Sequence, residues 1–415
     1  MWKKVRFELL DYIIVWFVLM CSGTVIFNIK YNSIFIPLFF VAAFGYHLFR
    51  NRGRLRIENS GMILALVGCI AVNCLIHISS GVAYNGIVQI FLYLVATSLV
   101  CGAMTFARYK KVYQNIVAIL CMLSVVMQVL ADAGVIAYAW TDINGISYPL
   151  GYGHMLSWWD GRANRLSGMF SEPGMYQIII LFALLYLFDD RLERPAERGF
   201  ERNIAFIKEL IYIFTILMTK STAGYIMLVL VLVYYLWKKK DLIHRFENRS
   251  VYLMLFPIAG VLCLLVLSQS SVLLSKFSNT NISYMARSND WISGARLILQ
   301  NPIFGYGYKS ELYNEATARM NIGNISSGLE ETVLAFGVLF FAVLIWYTYR
   351  SMKRSEWRIS KWFIVLILIL ENTVEACLFF PAVLVFVIGF RSDRPEARPT
   401  GEKTHFTSEA QLCRE

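Results

Sequence analysis

The chain has 415 residues, of which 57% are hydrophobic, 15% aromatic and only 16% charged, with a mean hydropathy of +0.54. That usage is well above the apolar content of soluble domains and excludes a water-soluble globule. The net charge of +11 does not indicate nucleic acid, because the basic residues sit in short blocks between apolar runs and not along one surface.

A bilayer core about 30 Å thick takes roughly 20 apolar residues per helix. Such runs follow one another at 9–27, 33–49, 61–79, 86–106, 112–135, 170–188, 204–219, 222–237, 251–268, 329–348 and 362–390. None alternates with period two, so helices are expected and barrel strands are not. The fold class expected is an all-α polytopic membrane protein of about 12 transmembrane helices, with residues 1–390 as one membrane domain and 391–415 as a disordered cytoplasmic tail. Cys21, Cys69, Cys74, Cys101, Cys121, Cys263 and Cys377 lie inside apolar runs without CxxC spacing, and read as small buried hydrophobes.

Taken in order, the first run follows Lys3, Lys4 and Arg6 and lacks a small-residue cleavage site, so it is a retained helix with the amino terminus inside. Basic turns recur at Arg50 to Arg56 and at Arg108 to Lys111, alternating with short outer turns near Asn28 and Ser80. The fifth run opens an outer loop, about 136–169, that carries Trp140, Tyr152, His154, Trp158, Trp159, Asp160, Arg162 and Arg165. Its aromatic residues suit headgroup anchoring or stacking on a sugar face. Pro173 suits the first turn of the sixth helix, with Glu172 close to its positive end. The seventh and eighth helices form a hairpin around Thr219-Lys220-Ser221-Thr222-Ala223-Gly224.

A second outer loop, about 269–328, is the largest polar piece. Trp291, Ile292, Ala295, Leu297 and Ile298 recur at helical spacing, Asn301-Pro302 ends that helix, and Gly305 and Gly307 turn the backbone. The last run, 362–390, would be about 43 Å long as one helix. Basic residues flank it on both sides, so it must cross twice or dip in and return, with the turn at Glu371, Asn372, Thr373 and Glu375. Both termini are then cytoplasmic.

Positive-inside topology disfavours cations outside, yet Lys30, Arg162, Arg165, Lys220, Lys276, Arg287, Arg296, Lys309 and Arg319 fall there. They are either scattered solvated charges or the lining of an anion site, for which a guanidinium pair matches phosphate oxygens. In this setting Arg165-x-x-Gly168 with Ser171-Glu172-Pro173, Thr219-x-Ser221-x-x-Gly224, Arg287-x-x-x-Trp291 and Asn301-Pro302-x-x-Gly305-x-Gly307 resemble the O-antigen polymerase and ligase family of bacterial membrane glycosyltransferases. The resemblance runs from about Arg165 to the carboxyl end.

The resemblance implies a GT-C-like, inverting, metal-independent enzyme of the inner membrane that needs no cofactor. Its substrate would be an undecaprenyl-pyrophosphate-linked saccharide taken up on the periplasmic face, with membrane lipids around it and a chain-length regulator as a further partner. Arg165 and Arg287 would bind the pyrophosphate with Lys220, and Trp291, Gly305 and Gly307 would complete the substrate site. Glu172, Arg287 and Glu330 are the catalytic candidates. Ligases of the family commonly carry a histidine 11 residues before the glycine matched to Gly337, where this chain has Ser326. That departure favours a polymerase over a ligase and leaves Glu172, Glu330, Glu331 and His154 for the vacant role. Glu330 and Glu331 also suit a helix N-terminus on dipole grounds alone. A transporter or flippase of lipid-linked saccharides is the alternative from another class.

Overall fold

The computed structural model describes residues 2–55, 57, 59–136, 140–143, 146–149, 165–193, 200–243, 282–320, 325 and 327–390. The ninth apolar run, the 391–415 tail, His154, Trp158, Trp159, Asp160, Arg162, Lys276 and Ser326 lie outside these residues. The chain runs through α1 (Trp2–Met20), a π-helical turn (Val25–Lys30), α2 (Asn32–Arg50), α3 (Ser60–Ile76), α4 (Tyr84–Ala103), α5 (Phe106–Asp132), α6 (Pro173–Glu193), α7 (Phe200–Met218) and α8 (Thr222–Ile243). It continues with α9 (Ile282–Gln300), α10 (Glu311–Arg319), α11 (Gly328–Arg354), α12 (Lys361–Val374) and α13 (Pro381–Ile388). Among the described residues, four helices are long and apolar enough to cross a membrane: α2, α4, α5 and α11.

One element departs from the all-helical expectation. Strands β1 (Trp140–Ile143) and β2 (Ile146–Pro149) pair antiparallel, with Ile143 opposite Ile146. The intervening Asn144-Gly145 is the dipeptide that favours a two-residue hairpin turn, a local signal that the hydropathy reading passed over.

Helix α6 is the axis of the bundle. Every residue from Pro173 to Asp189 is buried, as expected for a helix apolar on all sides. The short α13 is likewise buried at every residue, whereas several of the longer helices bury one face only. Leu38 and Val41 on α2, Leu64 and Leu75 on α3, Met122, Val126 and Val129 on α5, and Phe206, Leu210 and Phe214 on α7 are all exposed. Spaced at helical intervals over several elements, they form an apolar belt of the kind that faces lipid.

The two ends of the bundle differ in their chemistry. At one end the basic turns meet buried carboxylates. Asp11 is 1% exposed and takes Arg50 Nη2 at 3.1 Å and Arg108 Nε at 2.8 Å. Lys110 Nζ lies 2.7 Å from Asp189 Oδ2 and 2.6 Å from Asp190 Oδ1, and Asp189 Oδ1 accepts from the backbone N–H groups of Arg358 and Ile359. The opposite end is closed by backbone pairing. Val25 N donates to Met169 O, Ser171 N to Gly23 O, Leu166 N to Met218 O and Ala83 N to Tyr308 O. The segments that meet at each end are the ones the charge pattern assigned to a common side.

The last apolar run is broken, as its flanks required. Trp362 stacks on Tyr349 near the carboxyl end of α11, and Asn372 and Ala376 pack against Gly328 at the amino end of the same helix. The chain then returns, and Ser351 Oγ donates to Phe386 O at 2.7 Å. Helices α12 and α13 therefore enter and leave at the same end of α11.

Candidate functional site

The glycines of the second polar segment are explained by a break in α11. At Gly337 the backbone turns to φ 85° and ψ 168°, which interrupts the helical hydrogen bonds. The loop after α9, Asn301 to Gly307, fills the gap. Tyr306 N donates to Leu334 O at 2.7 Å, Gly307 N to Ala335 O at 3.0 Å, and Val338 N to Pro302 O at 2.8 Å. Asn73 of α3 adds its side-chain amide to Phe304 O at 2.6 Å and to Ala335 O at 3.2 Å. A Cβ on Gly337 would strike the Ile303 carbonyl, and one on Gly305, itself at φ 66°, would strike that of Leu334. Only a residue without a side chain allows two backbones this close. Gly305 and Gly307 thus meet α11 and His77, and the loop pins α9 to α11.

Arg165 lies beside the α7–α8 turn. Its Nε donates to Thr219 O at 3.4 Å and the side chain is partly buried. In that turn Lys220 adopts φ 48°, Ser221 N donates to Thr219 Oγ1 at 3.3 Å, and Gly224 N donates to Ser221 Oγ at 3.3 Å. The spacing T-x-S-x-x-G is therefore a capping arrangement. Gly224 lets Gln177 of α6 approach to 3.2 Å of where a Cβ would stand. Glu172 precedes α6, and its carbonyl accepts from Tyr176 N at 3.1 Å. Gly174, in the first turn, abuts the Glu375 carboxylate, a charge well placed at a helix amino end.

The remaining candidates are on α9 and α11. Arg287 is in α9, with its side chain outside the described residues. Trp291 follows one turn later and is 42% exposed. Glu330, in the first turn of α11, is buried, and its carboxylate occupies the space over Gly294 of α9. Of the other cations, Arg319 pairs with Glu315 at 3.0 Å on the exposed face of α10, and Lys309 approaches Glu331 at 3.8 Å.

A cavity of about 120 Å³ lies between α4, the loop at Tyr308, the amino half of α11 and the α12–α13 turn, and its lining includes none of Arg165, Glu172, Lys220, Trp291, Gly305, Gly307 or Glu330. Its polar lining comes from Gln89 of α4, Tyr308, Glu331 and Thr332, and Asn372 at the end of α12. Phe336, Phe379 and Phe380 supply apolar walls, with Tyr308 stacked on Phe336 at 5.6 Å between ring centres. Gly86 leaves room for the Tyr308 ring. Burial, with the Glu331 carboxylate nearby, pushes the Tyr308 hydroxyl up to about 12, so it remains a proton donor at neutral pH. Next to the cavity, Gln177 Nε2 donates to Glu371 Oε2 at 2.8 Å, and Glu371 is fully buried. The sequence reading treated Glu371 and Asn372 as turn residues only. An acidic residue within an apolar run is itself a signal of function, and it could have placed them in the site.

The structure thus brings Arg165, Lys220 and Glu172 to adjoining elements around the amino end of α6, and sets Glu330 where α9 meets α11. The convergence reflects helix packing between segments far apart in sequence. No curated protein and no solved structure matches the chain. Residues 210–345, from within α7 to within α11, match the family model described as O-antigen ligase, which supports assigning the chain to the O-antigen polymerase and ligase family.

Proposed function

We propose that the chain polymerises undecaprenyl-pyrophosphate-linked oligosaccharide repeat units into a surface polysaccharide, as an inverting, metal-independent glycosyltransferase of the inner membrane. The observation that carries this reading is the meeting, at the end of the bundle away from the basic turns, of the segments with the family-like motifs. In this reading that end faces the periplasm, both termini are cytoplasmic, and the chain crosses about 12 times. The return of α12 and α13 to one end of α11 supports such a count.

Arg165 and Arg287, with Lys220, grip the pyrophosphate and stabilise the negative charge that grows on it as the glycosidic bond breaks. Trp291, exposed on α9, offers a ring face to the saccharide. Gly305 and Gly307 hold the backbone loop beside it. Glu172 and Glu330, the carboxylates at the amino ends of α6 and α11, complete the charged set of this reading. Holding two lipid-borne substrates in line supplies much of the rate. A chain-length regulator is the further protein partner of this reading. Ser326 in place of a histidine favours polymer growth over transfer to lipid A core.

The test is Arg165→Ala and Arg287→Ala in the native host, scored by polymer length. Shortened or absent polymer is expected, and an unchanged length distribution refutes the reading. The buried Glu371–Gln177 pair inside an apolar run is what a transporter of lipid-linked saccharides would use. Proteoliposomes scored for lipid flipping against chain growth separate the two functions, and lipid A core offered as acceptor separates ligase from polymerase.

A further inference from the structure

We infer that the cavity beneath the amino end of α11 is the acceptor subsite, where a sugar hydroxyl is bound by Asn372 and deprotonated by Glu331. This inference rests on the glycosyltransferase reading above and names the base within it.

Three observations lead there. Glu331 is the carboxylate that lines the cavity, with 23% of its side chain exposed, whereas neighbouring Glu330 is 2% exposed and packed onto α9. Lys309, at 3.8 Å and 55% exposed, pairs with only one oxygen of Glu331, and burial outweighs that contact and holds the carboxyl above the usual carboxylate range. The carboxylate therefore keeps lone pairs for a ligand proton. Asn372 is 2% exposed and lines the same cavity, and its amide nitrogen has no hydrogen-bond partner among the described residues. A buried donor left unpaired costs about 1–3 kcal/mol, so it marks a place that a ligand oxygen fills. Finally, the cavity wall at Glu375 to Phe380 is non-helical backbone between α12 and α13, the two halves of the last apolar run. Such backbone is tolerated at that depth where it lines a cavity open to polar molecules.

The chemistry of the lining fits a carbohydrate. Tyr308 offers a ring face and a hydroxyl that stays protonated, Gln89 and Asn372 offer amides, and the phenylalanines cover the apolar face of a sugar. In the step, the acceptor oxygen forms a bond to the anomeric carbon of the donor. The bond from that carbon to the phosphate oxygen breaks, and its electron pair leaves with undecaprenyl pyrophosphate. The hydroxyl proton passes to the Glu331 carboxylate and from there to water.

The experiment uses the full chain in nanodiscs, with lipid-linked repeat units extracted from a host lacking polymer. Glu331→Gln keeps the side-chain shape and removes the base. At saturating repeat unit, its elongation rate is expected to fall about 100-fold or more, the range of a lost general base, with binding of the lipid-linked unit unchanged. Glu331→Ala is expected to regain activity with added formate, a rescue that a purely structural residue would not show. Ala376→Trp, at an exposed rim position, puts bulk at the cavity mouth, and is expected to raise the KM for repeat unit at least tenfold. Glu315→Gln, exposed on α10, is the unchanged control. If Glu331→Gln retains more than half of the wild-type rate, or Ala376→Trp elongates normally, the subsite assignment is overturned while the polymerase reading stands. If wild-type protein fails to elongate, both fall.

Discussion

Replacing Gly337 by alanine tests the account of the broken helix directly. The residue holds φ 85° with ψ 168°, a region essentially reserved for glycine that costs a side chain on the order of 1–3 kcal/mol. The new Cβ would also fall on the Ile303 carbonyl and within 2.7 Å of Phe304 N. Relief requires the loop to move out of the break, which gives up the three backbone bonds made by Tyr306 N, Gly307 N and Val338 N. At about 1 kcal/mol each, strain and lost bonds together amount to about 4–6 kcal/mol. Hydrogen exchange read by mass spectrometry on the detergent-solubilised protein is the assay. At about 1.4 kcal/mol per decade, the amides of Tyr306, Gly307 and Val338 should exchange roughly 1,000-fold faster or more, while those in α6 stay protected. Gly45→Ala is the control, since a Cβ there meets nothing within 4 Å; it should be neutral or stabilise α2 by about 1 kcal/mol. Protection of the three amides within about tenfold of wild type would refute the claim that the loop and the break form one unit.

Other outcomes follow from the same contacts. Asp189→Ala leaves Lys110 buried with Asp190 as its remaining close partner and removes the acceptor of two backbone N–H groups, so a loss of about 3–5 kcal/mol is expected in thermal unfolding. The Lys110→Met, Asp189→Leu double variant should lose less than the sum of its singles, because two apolar groups can replace a buried pair. Asp11→Asn removes the charge shared by Arg50 and Arg108. Both arginines are about a quarter exposed, so the expected cost is smaller, about 1–3 kcal/mol. Gly174→Ala drives a methyl into the Glu375 carboxylate. Overpacking there should cost about 1–3 kcal/mol and, by displacing the α12–α13 turn, lower polymer yield in the host without abolishing membrane insertion.

The apolar runs, the basic turns and their alternation follow from the amino-acid sequence alone. Hydropathy and the cost of moving cations act on each segment separately, so no tertiary contact is needed to read them. The break in the last run was legible for the same reason, since Arg358 and Arg391 on its flanks left a return as the consistent path. Arg165 and Lys220 were legible as cations where the charge pattern disfavours them, and Glu172 from its place in Ser171-Glu172-Pro173 at the start of a helix. Tertiary structure alone decided what touches what. That Gly305 and Gly337 need each other's missing side chains, that Glu330 is covered by Gly294 while Glu331 opens on a cavity, and that Asn372 presents an unpaired amide there are contacts between elements far apart in the chain. Adjacent glutamates are equivalent to any local rule. They are separated by the 100° turn between successive residues of a helix, and by which neighbour each then meets.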